Sequence, residues 1–448
     1  MLELSGKRVA VVGMGLSGVA AARMLRRQGS HVVLTDDKTA DELKDEMKAL
    51  VEMNVEYHLG GIEAKVLLDS DLVILSPGVP SDLPQIERAR RAGLEVISEI
   101  ELAYSMCKAP IIAITGTNGK TTTTMLTHHI ATHAGLKAGL AGNVEIPFSE
   151  IVSEGPFDVM VLEVSSFQLE NIKDFRPHVG ALLNISPDHL DRYQRLDDYV
   201  AAKFLLFENQ SNNEFAVLNE DDAAVVQVAE RIPSRVLRFS MKTEVEQGAF
   251  LRNEHLVVRF DGNESRVMSV SGIPLFGRHN VENVLAAIAA TLPLKVPVEC
   301  YAPAVASFPG VEHRLERVRE MDGVLFVNDS KATNIGATEK ALESFDRPIV
   351  LIAGGRGKKS PYQPLRPLVK NKVRALVVIG EDAALLEDAF GDLVPTRRAD
   401  TLPEAVRHAA SLARSGDCVL LAPACASFDM FRNYKHRGRV FKEAVNAL

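Results

Sequence analysis

Cysteine is scarce in this sequence: the 448 residues contain four, Cys107, Cys300, Cys418 and Cys425, none in a Cys-x-x-Cys pair. That excludes a disulfide framework and a zinc ribbon, and it is the usage expected of reduced thiols in a cytoplasmic protein. Excess positive charge is lacking too, because 51 Lys+Arg face 59 Asp+Glu for a net charge of −8. No basic run or basic-aromatic stripe tracks a phosphate backbone, so nucleic acid is not expected as a partner. Apolar runs stop well short of the roughly 20 residues of a membrane span. Residues 1–13 lack the apolar core and small-residue cleavage site of a secretory signal. There is no fixed-period repeat and no low-complexity tract. What is present is 46% hydrophobic and 25% charged side chains, over a length that suits about three domains.

Short β-branched runs followed by glycine-rich turns and helical periodicity restart three times, which predicts three α/β units with parallel sheets. The first has strands at 7–12, 31–35 and 71–75, with a helix near 19–28 and a loop Ser76-Pro77-Gly78 closing the last strand. In the second, strands at 109–115, 159–163 and 181–185 precede an alternating stretch, 235–276, that reads as a small antiparallel meander, and a helical run follows at 283–290. The third has strands at 324–328, 349–353, 375–379 and 418–422. Boundaries near 98 and 311 give domains 1–98, 99–311 and 312–448.

Two glycine turns carry chemistry. Gly13-x-Gly15-x-x-Gly18 follows a strand, opens a helix and has Asp36 and Asp37 some 20 residues on, as in a dinucleotide fingerprint. Taken alone it predicts an NAD-dependent dehydrogenase. Its physical content is narrower, since glycines that let helix N-terminal amides approach a diphosphate suit any nucleotide diphosphate. The second turn is a P-loop in shape: Gly116, Thr117, Asn118 and Gly119 offer backbone amides, Lys120 a cation for the β and γ phosphates, and Thr121 a hydroxyl for Mg²⁺, with Thr122 next. Ile114 stands where the usual first glycine would be, and Gly116 follows two places later. Glu163 and His189, each just past a strand of the same unit, are candidate metal ligands. His129 and His133 have a zinc-binding spacing but no intervening helical Glu of the metalloprotease kind, and Cys418 and Cys425 read as packing or loop residues.

Residues 115–121, Glu163-Val-Ser-Ser-Phe-Gln168, Asn184-Ile-Ser-Pro-Asp-His189-Leu-Asp191, Gly277-Arg-His-Asn280-Val-Glu-Asn283 and His313-Arg314 together resemble the Mur ligases, ATP-dependent amino-acid-adding enzymes of peptidoglycan synthesis. The likeness spans the chain. Asn328-Asp-Ser-Lys-Ala-Thr-Asn334, residues 421–431, Asn433 and Arg437-Gly438 are similar to the members that add D-glutamate to UDP-N-acetylmuramoyl-L-alanine. The fold implied is an N-terminal Rossmann-like domain for the UDP-sugar, a central P-loop ATPase-like domain with the meander, and a C-terminal Rossmann-like domain for the amino acid.

The resemblance also implies roles. Gly15, Leu16, Ser17, Asp36, Asp37, Ser76, Pro77, Gly78, Asn143, Ser165 and His189 would meet the UDP-sugar. The P-loop residues with Asn283, Arg314 and Asp329 would hold ATP. Thr121, Glu163 and His189 would bind two Mg²⁺, with Lys203 as a further ligand if carbamylated; its letters alone read as a helix-surface lysine. Lys120, His189 and Lys203 would be catalytic, and Lys331, Thr333, Lys358, Ser427 and Tyr434 would receive D-glutamate, with Lys359 an alternative to Lys358. The implied reaction has the acceptor carboxylate attack the γ-phosphate to give an acyl phosphate, which the D-glutamate amine opens, in a cytoplasmic monomer. Another Mur ligase step and a folylpolyglutamate synthase-like ligase are the neighbouring readings. The third-domain motifs argue against the synthase. A dehydrogenase would leave the P-loop and Glu163 unexplained, and a non-catalytic nucleotide-binding regulator would not need the metal and lysine candidates.

Overall fold

The computed structural model describes residues 2–144, 146–187, 192–193, 195–357 and 361–448. Runs of Val, Ile, Leu and Ala without polar alternation form strands buried on both faces, as parallel sheets covered by helices require. The first sheet contains β1 (Arg8–Val12), β2 (His31–Asp36), β3 (Glu56–Leu59), β4 (Leu72–Leu75) and β5 (Val96–Ser98), parallel throughout in the order β3-β2-β1-β4-β5. Val9, Val11, Leu34 and Ile74 sit in its core. Each fully buried aliphatic side chain of this kind contributes roughly 1.5–3 kcal/mol.

Nine strands make the second sheet: β6 (Ile111–Thr115), β7 (Ala138–Gly142), β8 (Val159–Glu163), β9 (Val179–Leu182), β10 (Phe215–Asn219), β11 (Arg235–Ser240), β12 (Gly248–Arg252), β13 (His255–Phe260) and β14 (Asn263–Ser269). Their order is β14-β13-β12-β11-β10-β9-β6-β8-β7. The antiparallel part is smaller than the alternating stretch 235–276 predicts. β11 pairs in parallel with both β10 and β12, and only β12, β13 and β14 run antiparallel. Alternation reports one-sided burial and carries no information on strand direction. The strand expected at 181–185 ends at Leu182, because Asn184 turns toward the loop after β6, where its carbonyl accepts from Thr117 N at 3.0 Å.

These two sheets lie in one compact unit, Met1–Ile273 with Val281–Phe308. Within it the Glu101 carboxylate joins the segment after β5 to the central sheet, accepting from the backbone amides of Lys173, Asp174 and Phe175 at 2.8, 3.1 and 2.9 Å. The second unit, Pro274–Asn280 with Pro309–Leu448, holds the third sheet: β15 (Glu316–Met321), β16 (Val324–Asn328), β17 (Ile349–Gly354), β18 (Val373–Ile379), β19 (Thr396–Arg398) and β20 (Cys418–Leu421). Its order is β15-β16-β20-β17-β18-β19, parallel except at β15. Among the described residues no helix is long and apolar enough to cross a membrane.

Candidate active site

In the first sheet the order reverses between β1 and β4, and open α/β sheets bind ligands at the carboxyl ends of such strands. Gly13 adopts φ +91°, and a Cβ on Gly18 would lie 1.9 Å from the Gly13 carbonyl oxygen, so only glycine closes this turn. Gly15 caps the helix Leu16–Arg27 without a side-chain bond to its first amides. Asp36 spends its carboxylate on the turn itself: Oδ2 accepts from Met14 N at 2.7 Å and Oδ1 from Lys38 N at 2.9 Å. Burial pushes this carboxyl up, but the two amides outweigh it and hold it below its ordinary range. Ser76 Oγ donates to Gly13 O at 2.9 Å. Leu16, 70% exposed, with exposed Gly15, Asp37 and Gly78 and half-buried Ser17 and Pro77, are the accessible members of this group.

Residues 116–119 link β6 to the helix Lys120–His133. Ile114, where the usual motif has glycine, is a buried strand residue, and the glycine conformation comes later, at Gly116 with φ +152° and Gly119 with φ +82°. A Cβ on Gly119 would meet Asn283 Oδ1 at 2.3 Å, and the same oxygen accepts from Thr123 Oγ1 at 3.2 Å. Asn118 and Asn184 clamp reciprocally, N to Oδ1 at 2.8 Å and Nδ2 to O at 3.1 Å. Thr117 Oγ1 accepts from Ser186 N at 3.0 Å and lies 3.2 Å from the Tyr199 hydroxyl. Lys120 Nζ donates to the carbonyls of Gly116 and Thr117 at 2.9 and 2.8 Å, while Thr121 and Thr122 are half-buried in the first turn of the helix.

Glu163 ends β8 in register with Ile114, one strand across from the start of this loop. It is 2% exposed; Asn143 Nδ2 donates to its Oε1 at 2.7 Å, and its buried Oε2 has no hydrogen-bond partner among the described residues. An orphaned buried carboxylate oxygen is costly unless a cation meets it, so this residue fits a divalent metal. Lys203, in the helix Leu196–Phe204, is no surface lysine: it is 1% exposed, and its Nζ donates to Gly116 O at 2.8 Å and lies 3.4 Å from Thr115 Oγ1 and 4.6 Å above the Tyr199 ring. Helical spacing alone could not reveal that the face bearing Lys203 packs under the loop. Ser165 forms a capping box with Gln168 at the start of the helix Ser166–Leu169. His189 lies outside the described residues.

In the second unit β20 sits between β16 and β17, so the loops after these three parallel strands gather at one sheet edge. Asp329, just after β16, is buried and accepts from Leu315 N at 3.3 Å. Burial pushes its carboxyl up to about 7, against the pull of the Leu315 amide and of exposed Arg314. Lys331 Nζ lies 4.0 Å over the Tyr434 ring. Thr333 is half-buried with its amide on Lys331 O at 2.8 Å, and Ser427 is buried. Arg437, 1% exposed, ties two of the loops: it donates to Ser330 Oγ and O at 3.0 and 2.9 Å and to Cys425 O at 3.1 Å. Lys358 and Lys359 lie outside the described residues.

Family models match three stretches of this chain: a Mur ligase MurD-like N-terminal domain at 7–98, the Mur ligase middle domain at 114–291 and the Mur ligase glutamate ligase domain at 313–425. The UDP-N-acetylmuramoylalanine--D-glutamate ligase of Koribacter versatilis is 45% identical over 450 residues, covering 100% of this chain and 99% of that one. This chain belongs to the Mur ligase family. A second relative of the same name, from Pelobacter propionicus, is 46% identical and covered in full on both sides. The three-domain fold is shared with the UDP-N-acetylmuramate-alanine ligase of Thermotoga maritima (TM-score 0.60, 19% identity, 98% of this chain and 99% of that chain) and with MurF of Acinetobacter baumannii (TM-score 0.62, 16% identity, 97% and 93%).

Sequence reasoning gave no role to three residues that organise this Mur ligase. Asn184 and Tyr199 secure the P-loop, and Arg437 the loops of the third sheet. Asn184 and Arg437 stand inside conspicuous motifs, but only the fold reveals their partners. His129 pairs with Ser307 Oγ at 3.0 Å, and His128 Nε2 lies 3.2 Å from Ala138 O. Among the described residues three metal-type donors converge only at Glu312, His313 and Glu316, where Lys442 Nζ already bonds the two carboxylates at 2.9 and 2.6 Å.

Proposed function

We propose that this protein is the cytoplasmic, monomeric Mur ligase that joins D-glutamate to UDP-N-acetylmuramoyl-L-alanine, converting ATP to ADP and phosphate. The observation that carries the reading is the meeting of Lys120 and Lys203 on the Gly116 carbonyl, one strand from the buried carboxylate of Glu163. A carboxylate is a poor acyl donor, so the acceptor's terminal carboxylate first attacks the γ-phosphate. Lys120 balances the charge gathered when an anion approaches a polyanion, and the amides of 116–119 cradle the phosphates. Thr121 and Glu163 would hold one Mg²⁺, and Glu163, His189 and carbamylated Lys203 a second; bound there, the ions supply Lewis-acid stabilisation of the transferring phosphate.

The accessible residues at this edge, Gly15, Leu16, Ser17, Asp37, Pro77 and Gly78, receive the UDP-sugar in domain 1–98, with Asp36 and Ser76 shaping the turn. Asn143 and Ser165 meet its sugar side from domain 99–311. Lys331, Thr333, Ser427, Tyr434 and Lys358, in domain 312–448, offer the cations and hydroxyls that a dicarboxylate requires.

Phosphate release from MgATP and UDP-N-acetylmuramoyl-L-alanine, with bicarbonate and separately D-glutamate, L-glutamate, L-alanine or meso-diaminopimelate, tests the reading. Release is expected with D-glutamate alone. Release with another amino acid moves the enzyme to a different Mur step, and no release with any of them removes the ligase assignment.

A further inference from the structure

A hydrogen-bonded chain of three side chains lies behind the glycine-rich loop that follows β17. The buried Tyr362 hydroxyl is 2.7 Å from Asp382 Oδ2 and 3.0 Å from Cys425 Sγ. A carboxylate only accepts, so the Tyr362 O–H donates to Asp382, and its oxygen is left to accept from the Cys425 S–H. Burial pushes the Cys425 thiol up to about 11, so that proton is in place at neutral pH.

The three residues come from three segments: Tyr362 follows the loop 354–357, Asp382 precedes the helix Ala383–Phe390, and Cys425 stands in the loop after β20. Backbone bonds close the same ring. Asp382 N donates to Gly355 O at 3.0 Å, while Arg356 and Ala426 exchange N–H···O bonds at 3.0 and 2.9 Å. Glycine is required for this approach, because a Cβ at 357 would lie 1.9 Å from Asp382 Oδ2 and one at 355 would lie 2.3 Å from Ala426 O. The Tyr362 ring also meets Phe390 edge-on with centroids 6.4 Å apart, which holds the ring independently of its hydroxyl.

We propose that Tyr362, Asp382 and Cys425 form a positioning brace that sets the spacing between the loops 354–357 and 425–427, and through it the capture of the amino-acid substrate. The inference rests on reading domain 312–448 as the D-glutamate site. Ser427 follows Cys425 by two residues, so one of the side chains assigned to the amino acid leaves a braced segment. The brace residues themselves touch no substrate in this scheme; they act through the two loops.

Tyr362→Phe keeps the ring and removes both hydrogen bonds. Its KM for D-glutamate is expected to rise about 5- to 10-fold. The KM values for ATP and UDP-N-acetylmuramoyl-L-alanine should stay within about twofold, as should the rate of hydroxylamine capture of the acyl phosphate without amino acid. Asp382→Ala, which removes the acceptor, should behave in the same way, and Cys425→Ser, which retains a donor, should lie nearer wild type than Cys425→Ala. An unchanged KM for D-glutamate in both Tyr362→Phe and Asp382→Ala overturns the brace. So does a parallel rise of all three KM values in both variants with a lowered melting temperature, which would mark a merely structural role. If wild-type enzyme forms the hydroxamate but accepts an amino acid other than D-glutamate, the D-glutamate reading falls, and a raised KM for that amino acid in the variants would still support the brace.

Discussion

Lys120 and Lys203 both donate to the carbonyl oxygen of Gly116, at 2.9 and 2.8 Å, so two ammonium groups share one acceptor beneath the P-loop. Like charges this close disfavour each other, the more so because Lys203 is buried. Condensation of the Lys203 amine with CO₂ would replace one of the two cations by a carbamate anion. We expect turnover to drop about tenfold or more in CO₂-depleted buffer and to return on adding bicarbonate. Lys203→Ala should be inactive in both media. Full turnover without CO₂ would refute carbamylation.

Lys120 has a different task, and its loss should leave the fold intact. Its Nζ donates to the carbonyls of Gly116 and Thr117, and Gly116 O keeps a second donor in Lys203 Nζ when Lys120 is removed. Lys120→Ala should therefore lower turnover by about 10²- to 10³-fold or more with little change in circular dichroism or melting temperature. A melting temperature that falls in step with activity would contradict this.

Glu163→Gln keeps an acceptor for Asn143 Nδ2 but removes the negative charge behind the oxygen that has no partner among the described residues. The Mg²⁺ concentration needed for half-maximal turnover should rise about 10- to 100-fold, read from a Mg²⁺ titration at saturating ATP. An unshifted titration would exclude Glu163 as a metal ligand.

The carboxyl of Asp329, pushed by burial from 3.8 up to about 7, makes stability depend on pH. The folded form binds its proton more tightly than the unfolded chain does, so stability falls as pH rises from about 4 to about 7. The unfolding free energy from urea titrations should decline across that window in the wild type, by a total on the order of 1–3 kcal/mol. Asp329→Asn retains an acceptor for Leu315 N and should flatten the decline. Parallel curves for the two proteins would disprove the assignment.

Sheets were legible because buried parallel strands announce themselves: the runs at 8–12, 111–115, 159–163 and 418–421 are continuous apolar segments closed by glycine or polar turns. Strand direction was not, and β11 shows why, since alternation describes faces and not neighbours. At the site, spacing identified the P-loop and singled out Glu163. Burial of Lys203 was invisible, because whether a helical lysine faces water or a loop depends on packing between elements far apart in the chain. The amide clamp of Asn118 and Asn184 belongs to the same class: the partners are 66 positions apart and nothing local links them.

Arg437 carries a consequence of its own for how charge is distributed in the second unit. Its guanidinium is solvated by neutral oxygens, those of Ser330, Cys425 and Ala426, and has no carboxylate among these acceptors. Burial lowers it to about 10, still well above neutrality, so the group remains a monopole embedded in dipoles. An ion pair at contact would cancel most of that field, whereas carbonyl dipoles do not. Asp429 acts on it only from a distance, so part of the guanidinium's field still reaches the edge where the loops after β16 and β20 meet, in a region that dissolved salt reaches poorly. Raising ionic strength should accordingly slow the arrival of an anionic guest at this edge while barely hastening its escape.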